Sequence, residues 1–192
     1  MDIWQFCFTE MFNNAIDHSG GTNIKVMIGR AQATTEIRVV DDGIGIFKKI
    51  QTTMNLLDER HAILELSKGK LTTDPAKHTG QGIFFTSRLL DSFHILSGGV
   101  AYSHNTVELD DEDWITKQEQ PSEYGTAVFM KLDNRTARID EEIFSRYSSD
   151  DGVDFSKTVV PVKLALYGDE KLVSRSQESV GSIQAVYERE TS

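Results

Sequence analysis

Cysteine is nearly absent from this chain: Cys7 is the one example in 192 residues. A single thiol excludes an internal disulfide framework. Cys7 falls on the apolar side of the first predicted helix and reads as a small core residue. Basic residues are also in short supply, 20 Lys and Arg against 30 Asp and Glu, for a formal charge of −10. That balance argues against a general nucleic-acid backbone binder, which needs basic surface to displace counterions. It equally opposes an anionic ligand, so an anion site here would need backbone N–H groups, a few local cations and a divalent metal. No run of ~18 apolar residues occurs and no signal peptide is evident, so a cytoplasmic location without membrane attachment is expected. No internal repeat is found. The five histidines form no metal-spaced pair, and His18 and His78 read as local hydrogen-bonding residues. Gly69-Lys70-Leu71-Thr72 lacks the preceding glycine of a P-loop, because Leu64 stands at that position. Gly80-Gln81-Gly82 does not continue as G-x-G-x-x-G, since Ile83, Phe84 and Phe85 follow.

What is present is an ordinary globular composition with enough length for one full core and an appendage. Trp4, Cys7, Phe8, Met11, Phe12 and Ala15 recur at helical spacing over residues 2–18, with Asp2 as N-cap and Ser19-Gly20-Gly21 as the stop. Alternating apolar residues predict strands at 23–29 and 34–40. A glycine-bearing turn follows at 41–45, then a helix-like segment at roughly 54–67 and a polar, mobile-looking stretch, Ser67 to Lys77. A second apolar helix runs from Ile83 to Leu90. Strands are expected at 93–97, 100–104, 105–109, 113–118 and 125–132. Residues 133–138 read as a linker, followed by a helix near 139–147, a strand from Val159 to Leu166 and a polar tail. Early helices and late antiparallel strands predict an α+β fold, a two-layer sandwich.

Three segments carry the chemistry. On the first helix Glu10, Asn14 and Asp17 stack on one polar stripe. A carboxamide oxygen is a hard neutral ligand for Mg²⁺, and a neighbouring carboxylate can orient a water or hydroxyl nucleophile near a γ-phosphate. A solvated helix face is the competing reading. Asp41, at a strand end, can accept a hydrogen bond from an exocyclic amine such as that of adenine. Gly43 and Gly45 would then let the backbone pass close to a flat base; a plain Asp-Gly turn is the alternative. Gly80 and Gly82 open a helix, whose first N–H groups form an anion site. The loop before it would close as a lid and carry Lys68, Lys70 or Lys77 to a phosphate, although each lysine alone reads as surface. Gly125-Thr126 precedes the last strand of the first half. Together these segments point to one ATP site with Mg²⁺.

Their order resembles the GHKL ATPases, the superfamily of gyrase, heat-shock chaperones, histidine kinases and MutL-type proteins. The resemblance covers residues 1–133 and implies the Bergerat ATP-binding fold, a mixed, mostly antiparallel sheet with helices on one face. It implies Glu10 as general base and Asn14 as Mg²⁺ ligand. It further implies Asp41 on adenine N6 with Gly43 and Gly45 beside the base, Gly80 and Gly82 around the phosphates, and Thr126 supporting Asp41. Asn14-Ala15-Ile16-Asp17-His18-Ser19 is similar to anti-sigma-factor serine kinases and histidine-kinase catalytic domains. The expected activity is γ-phosphate transfer to a protein partner or hydrolysis, in bacterial signalling or regulation. The alternative is a nucleotide-dependent interaction switch. No phosphoacceptor-histidine hairpin precedes the motifs, so a complete histidine kinase is not expected. In residues 134–192, Phe155-Ser156-Lys157-Thr158 and Leu172 to Gln177 resemble the start of a STAS-like domain; a poorly ordered extension is the competing reading.

Overall fold

The computed structural model describes residues 2–69, 81–106, 112–119, 121 and 125–147, with the backbone of two further strands at 159–165 and 180–186. The first helix, α1 (Ile3–His18), starts where expected: the Asp2 carboxylate accepts hydrogen bonds from the N–H groups of Trp4 and Gln5. Cys7, Met11 and Ala15, at i, i+4 and i+8, are its fully buried stripe. Strands β1 (Ile24–Arg30) and β2 (Thr34–Asp41) form a hairpin. Helices α2 (Ile46–Thr53), α3 (Glu59–Ser67) and α4 (Gly82–Leu89) come next. Strands β3 (Ser92–Ser97), β4 (Val100–Asn105), β5 (Glu112–Lys117) and β6 (Thr126–Asp133) precede helix α5 (Asp140–Tyr147). Strands β7 (Val159–Ala165) and β8 (Val180–Val186) complete the described elements.

The sheet order is β1-β2-β6-β3-β4-β5-β7-β8. The first six strands are antiparallel to their neighbours, and β7 adds to β5 in parallel. The buried residues of one sheet face, among them Ile37, Val39, Phe93, Ile95, Val128 and Met130, merge with α1, α2, α3 and α4 into a single apolar cluster. The fold is therefore the expected α+β two-layer sandwich. Among the described residues no helix is long and apolar enough to cross a membrane.

Five segments differ from the sequence expectation. The helix expected at roughly 54–67 forms over Glu59–Ser67 as α3, and α2, at Ile46–Thr53, stands where no helix was expected. Asn55 takes a positive φ of 53°, and Asp58 then caps α3 by accepting from the N–H groups of Arg60 and His61, so the chain breaks between them. α2 begins inside the glycine turn because its first N–H, on Ile46, donates to the Thr126 hydroxyl at 2.9 Å. That cap is supplied from 80 residues away, so no local signal announces it. The polar tail contains β8, held by its antiparallel ladder with β7. The separate strand expected at 105–109 does not form as such at its start: Asn105 ends β4 and Thr106 is a turn, while 107–109 lie outside the described residues. The apparent linker at 133–138 is tied down. Asn134 donates to the Ala31 and Gln32 carbonyls, and Arg138 pairs with Asp91 at 2.9 Å and donates to the Leu89 carbonyl at the end of α4.

The core also holds charge. Arg88 of α4 donates to Asp113 of β5 at 2.8 Å and to the Tyr102 hydroxyl at 3.0 Å. Tyr102 and His104 of β4 both bond the other Asp113 oxygen at 2.8 Å. All four side chains are buried. Burial works against the Asp113 charge, but Arg88 and His104 outweigh it and hold the carboxyl below its usual range. Breaking such a pair from one side leaves an uncompensated buried charge. Asp113→Asn is therefore expected to lower the unfolding free energy by about 3–5 kcal/mol, read from urea denaturation; an unchanged midpoint would show that the pair contributes nothing.

Candidate functional site

The antiparallel registers bring polar residues together at one end of an otherwise apolar face. Asp41 of β2 lies opposite Thr126 of β6, and Thr126 lies opposite Ser97 of β3. One step inward along the same face the row is Val39, Val128 and Ile95, all buried. The sheet thus ends in a polar row of Asp41, Thr126 and Ser97, and the period-2 alternation of the strands puts all three on the core side. Thr126 caps α2, as described, and Ser97 donates to the Gly125 carbonyl at 3.1 Å.

The glycine turn folds back over this row. Asp41 accepts from the Gly43 N–H at 2.9 Å, and the Gly125 N–H donates to the Gly43 carbonyl at 2.6 Å. Each glycine is demanded by a protein neighbour. A Cβ on Gly43 would overlap the Ser19 carbonyl, and one on Gly125 would overlap the Asp41 carbonyl. Gly45 has φ +86°, and a Cβ there would stand 2.6 Å from the Ser97 hydroxyl oxygen. Asp42 faces the other way: it accepts from the backbone and side chains of Thr22 and Asn23 at 2.7–3.0 Å, fastening the loop after α1. Those bonds hold its carboxyl below the ordinary range. Asp41 behaves oppositely. Burial pushes its carboxyl up, against the pull of the Gly43 and Thr126 N–H groups. A half-buried acceptor at the end of a strand, with bare backbone beside it, can recognise a planar donor such as an exocyclic amine.

α1 links this pocket end to α4. At its C-terminus the Ser19 carbonyl accepts from the Ile44 N–H at 3.0 Å, and Lys49 of α2 donates to the His18 carbonyl at 2.7 Å. Nine residues earlier, roughly 13 Å along the axis, the half-buried Glu10 carboxylate sits where a Cβ on Gly82 would have to go. Gln81 offers α4 no side-chain cap. Asn14, half-buried, lies one turn from Glu10 on α1 towards the glycine turn. Asp17 is exposed.

The structure therefore gathers Asp41, Gly43, Gly45 and Thr126 at the sheet end, and brings Glu10 against Gly82 at the start of α4. Gly80, Lys70 and Lys77 lie outside the described residues. Lys68 pairs locally with Glu65 at 2.6 Å. Among the described residues no group of three or more His, Cys, Asp or Glu could hold a metal ion; the Asn14 carboxamide and Glu10 carboxylate remain as oxygen donors suited to Mg²⁺. Ser97 was missed in the sequence, where its one signal is the inward alternation Phe93, Ile95, Ser97 before the Gly98-Gly99 turn.

A family model described as histidine kinase-, DNA gyrase B- and HSP90-like ATPase matches residues 2–136. No curated protein matches the chain.

Gly45→Ala combines a glycine-favouring φ with a steric conflict, and is expected to cost about 1–3 kcal/mol of stability, measured by thermal denaturation. Adding Ser97→Ala should recover part of that loss but not the backbone share. Equal stabilities of the single and double variants would show that the hydroxyl is not the obstacle.

Proposed function

The chain belongs to the family of histidine kinase-, DNA gyrase B- and HSP90-like ATPases, GHKL-type ATP-binding domains, and from that premise we propose that it binds Mg-ATP across α1 and moves the γ-phosphate to a protein hydroxyl or to water. The observation that carries this reading is the Glu10 carboxylate lying against Gly82, at the start of a helix that the Gln81 side chain does not cap. A phosphate held by the first N–H groups of α4 would then meet a carboxylate able to take a proton from the attacking oxygen.

In this reading Asp41 accepts the adenine N6–H, with Gly43 and Gly45 flanking the base and Thr126 holding both the turn and the start of α2. Gly82, together with Gly80, admits the phosphate oxygens. Asn14 would give its amide oxygen to Mg²⁺, which when bound neutralises charge on the transferred group. Glu10 would orient the nucleophile. The separation of Glu10 from the glycine turn, roughly 13 Å along α1, suits a nucleotide whose base lies at one end of the helix and whose terminal phosphate lies at the other. The receiving group is proposed to be a serine hydroxyl of a regulatory partner, or water. The residues after 134 would serve that partner relationship, as the STAS-like resemblance implies.

Radiolabelled Mg-ATP tests the transfer. Label should appear as free phosphate or on protein, and Glu10→Gln should slow its appearance by about 10²–10⁴-fold. If the label stays on ATP in the unaltered protein, the transfer step is wrong; if Glu10→Gln is as fast as the parent, Glu10 is not the base.

Asp41→Ala tests the adenine contact. Mg-ATP at ~100 times its dissociation constant stabilises a folded protein by ~2.7 kcal/mol, and this thermal shift should vanish in the variant while its own unfolding stays cooperative. An undiminished shift would overturn the assignment. Acidification supplies an independent check. The accepting form is the carboxylate, and burial raises its pKa, so affinity should be full at neutral pH and begin to fall at a higher pH than an exposed aspartate would dictate. Affinity that holds down to the ordinary aspartate range would place the adenine elsewhere.

A further inference from the structure

We propose that Phe144, on α5 and outside the segment matched by the family model, is a positioning residue that sets the gap between α1 and α4 and so seats Glu10 at the phosphate end of the site. The inference rests on the catalytic reading above for its effect on rate, but not for the geometry. α5 follows Arg138, which anchors the chain to the end of α4 through the Leu89 carbonyl. From there the Phe144 ring reaches both helices. Its centroid is 4.3 Å from that of Phe85 on α4 and 5.5 Å from that of Phe6 on α1, edge-on to the latter at 90°.

The placement of those two partners is what gives Phe144 leverage. Phe6 stands four residues before Glu10, and Phe85 three residues after Gly82. Residues at these spacings share a helix face. Phe144 is therefore inserted one turn away from the Glu10–Gly82 contact, on the same faces of both helices. Next to Phe6 on α1 is Cys7, fully buried beside the Thr86 side chain of α4, with its thiol pKa pushed up to about 12 by burial. Cys7 with Thr86 and Glu10 with Gly82 are two points of close approach between α1 and α4, and Phe144 bridges Phe6 and Phe85 beside them. Tyr147, one turn on from Phe144, meets Phe84 edge-on at 5.1 Å, and Phe84 also lies under the Arg88 guanidinium at 4.3 Å. Removing the wedge lets α1 and α4 close or tilt, and the carboxylate at Glu10 moves with them. Among the described elements α5 packs chiefly on α4, so the adenine end, built from β2, β3 and β6, is not expected to respond.

The test uses the full chain with Phe144 replaced by Leu, Val and Ala in a graded series. Three quantities are read on each folded variant: the dissociation constant for Mg-ATP, the rate of γ-phosphate release per folded molecule, and the rate at which Cys7, the one cysteine, reacts with a disulfide reagent. Misplacement of a reacting group by about 1 Å can cost 10²-fold in rate. The expected result is a release rate falling about 10–100-fold from Phe to Ala, a nearly restored rate for Leu, an ATP affinity within about threefold, and faster Cys7 labelling as the side chain shrinks. If Ala fails to fold, Val carries the comparison. A release rate that holds constant, or that falls only together with affinity, overturns the proposal and leaves α5 as a stabilising element. So does an unchanged Cys7 labelling rate. If the parent releases no γ-phosphate, the transfer reading fails on its own. The wedge is then judged by labelling alone, which Mg-ATP should slow in the parent but not in Phe144→Ala, and equal protection in both would reject it.

Discussion

The approach of α1 to α4 is the constraint from which the rest of the site follows. With the Glu10 carboxylate occupying the space of a side chain at position 82, any larger residue there would have to displace it, and glycine leaves the start of α4 as bare backbone. Small or flat groups flank this approach, Cys7 beside Thr86 and Phe6 and Phe85 around Phe144. Dense packing makes this arrangement stiff, because interior contacts leave no slack for a helix to shift without opening a void. A carboxylate near the first turn of a helix is also favoured by the helix dipole. Sterics and electrostatics therefore act in the same direction at the point where catalysis is proposed.

Polar groups are kept inside this molecule at two places, for different reasons. At the far end of α4, Arg88, Asp113, Tyr102 and His104 close a buried network. Such a network is a weak source of net stability but fixes one arrangement, since any other leaves a buried charge without its partner. It locks α4 to β4 and β5, while Arg138 holds the end of the same helix from outside. At the sheet end, Asp41 is held against its own solvation: burial raises its pKa, so its ionised form costs folding free energy at neutral pH. Groups held at such a cost concentrate at functional sites, which supports the adenine contact proposed for Asp41.

Much of the architecture was legible from pattern. The helical stripe of α1, its Asp2 cap and the strands expected at 23–29, 34–40 and 125–132 were all local signals, and the structure follows them. The failures share a cause. α2 depends on a hydroxyl from β6 for its first N–H, β8 depends on a ladder with β7, and the break at Asn55 depends on a positive φ that no periodicity announces. Ser97 escaped notice because a serine before a Gly-Gly turn reads as part of the turn until the register places it beside Thr126.

By itself the sequence determined the composition of the site: an acid and an amide one turn apart on a helix, an aspartate at a strand end before two glycines, and glycines at a helix start. Those are local spacings, and local geometry converts spacing into shared faces. Only the tertiary structure decided what each residue touches. It gave Gly43, Gly45 and Gly125 their steric necessity through Ser19, Ser97 and Asp41, and joined Asp41, Thr126 and Ser97 into one row through registers between distant strands. It also drew α5 onto the two helices that carry Glu10 and Gly82. These contacts join residues tens of positions apart, and no pattern along the chain encodes which distant atoms will compete for the same space.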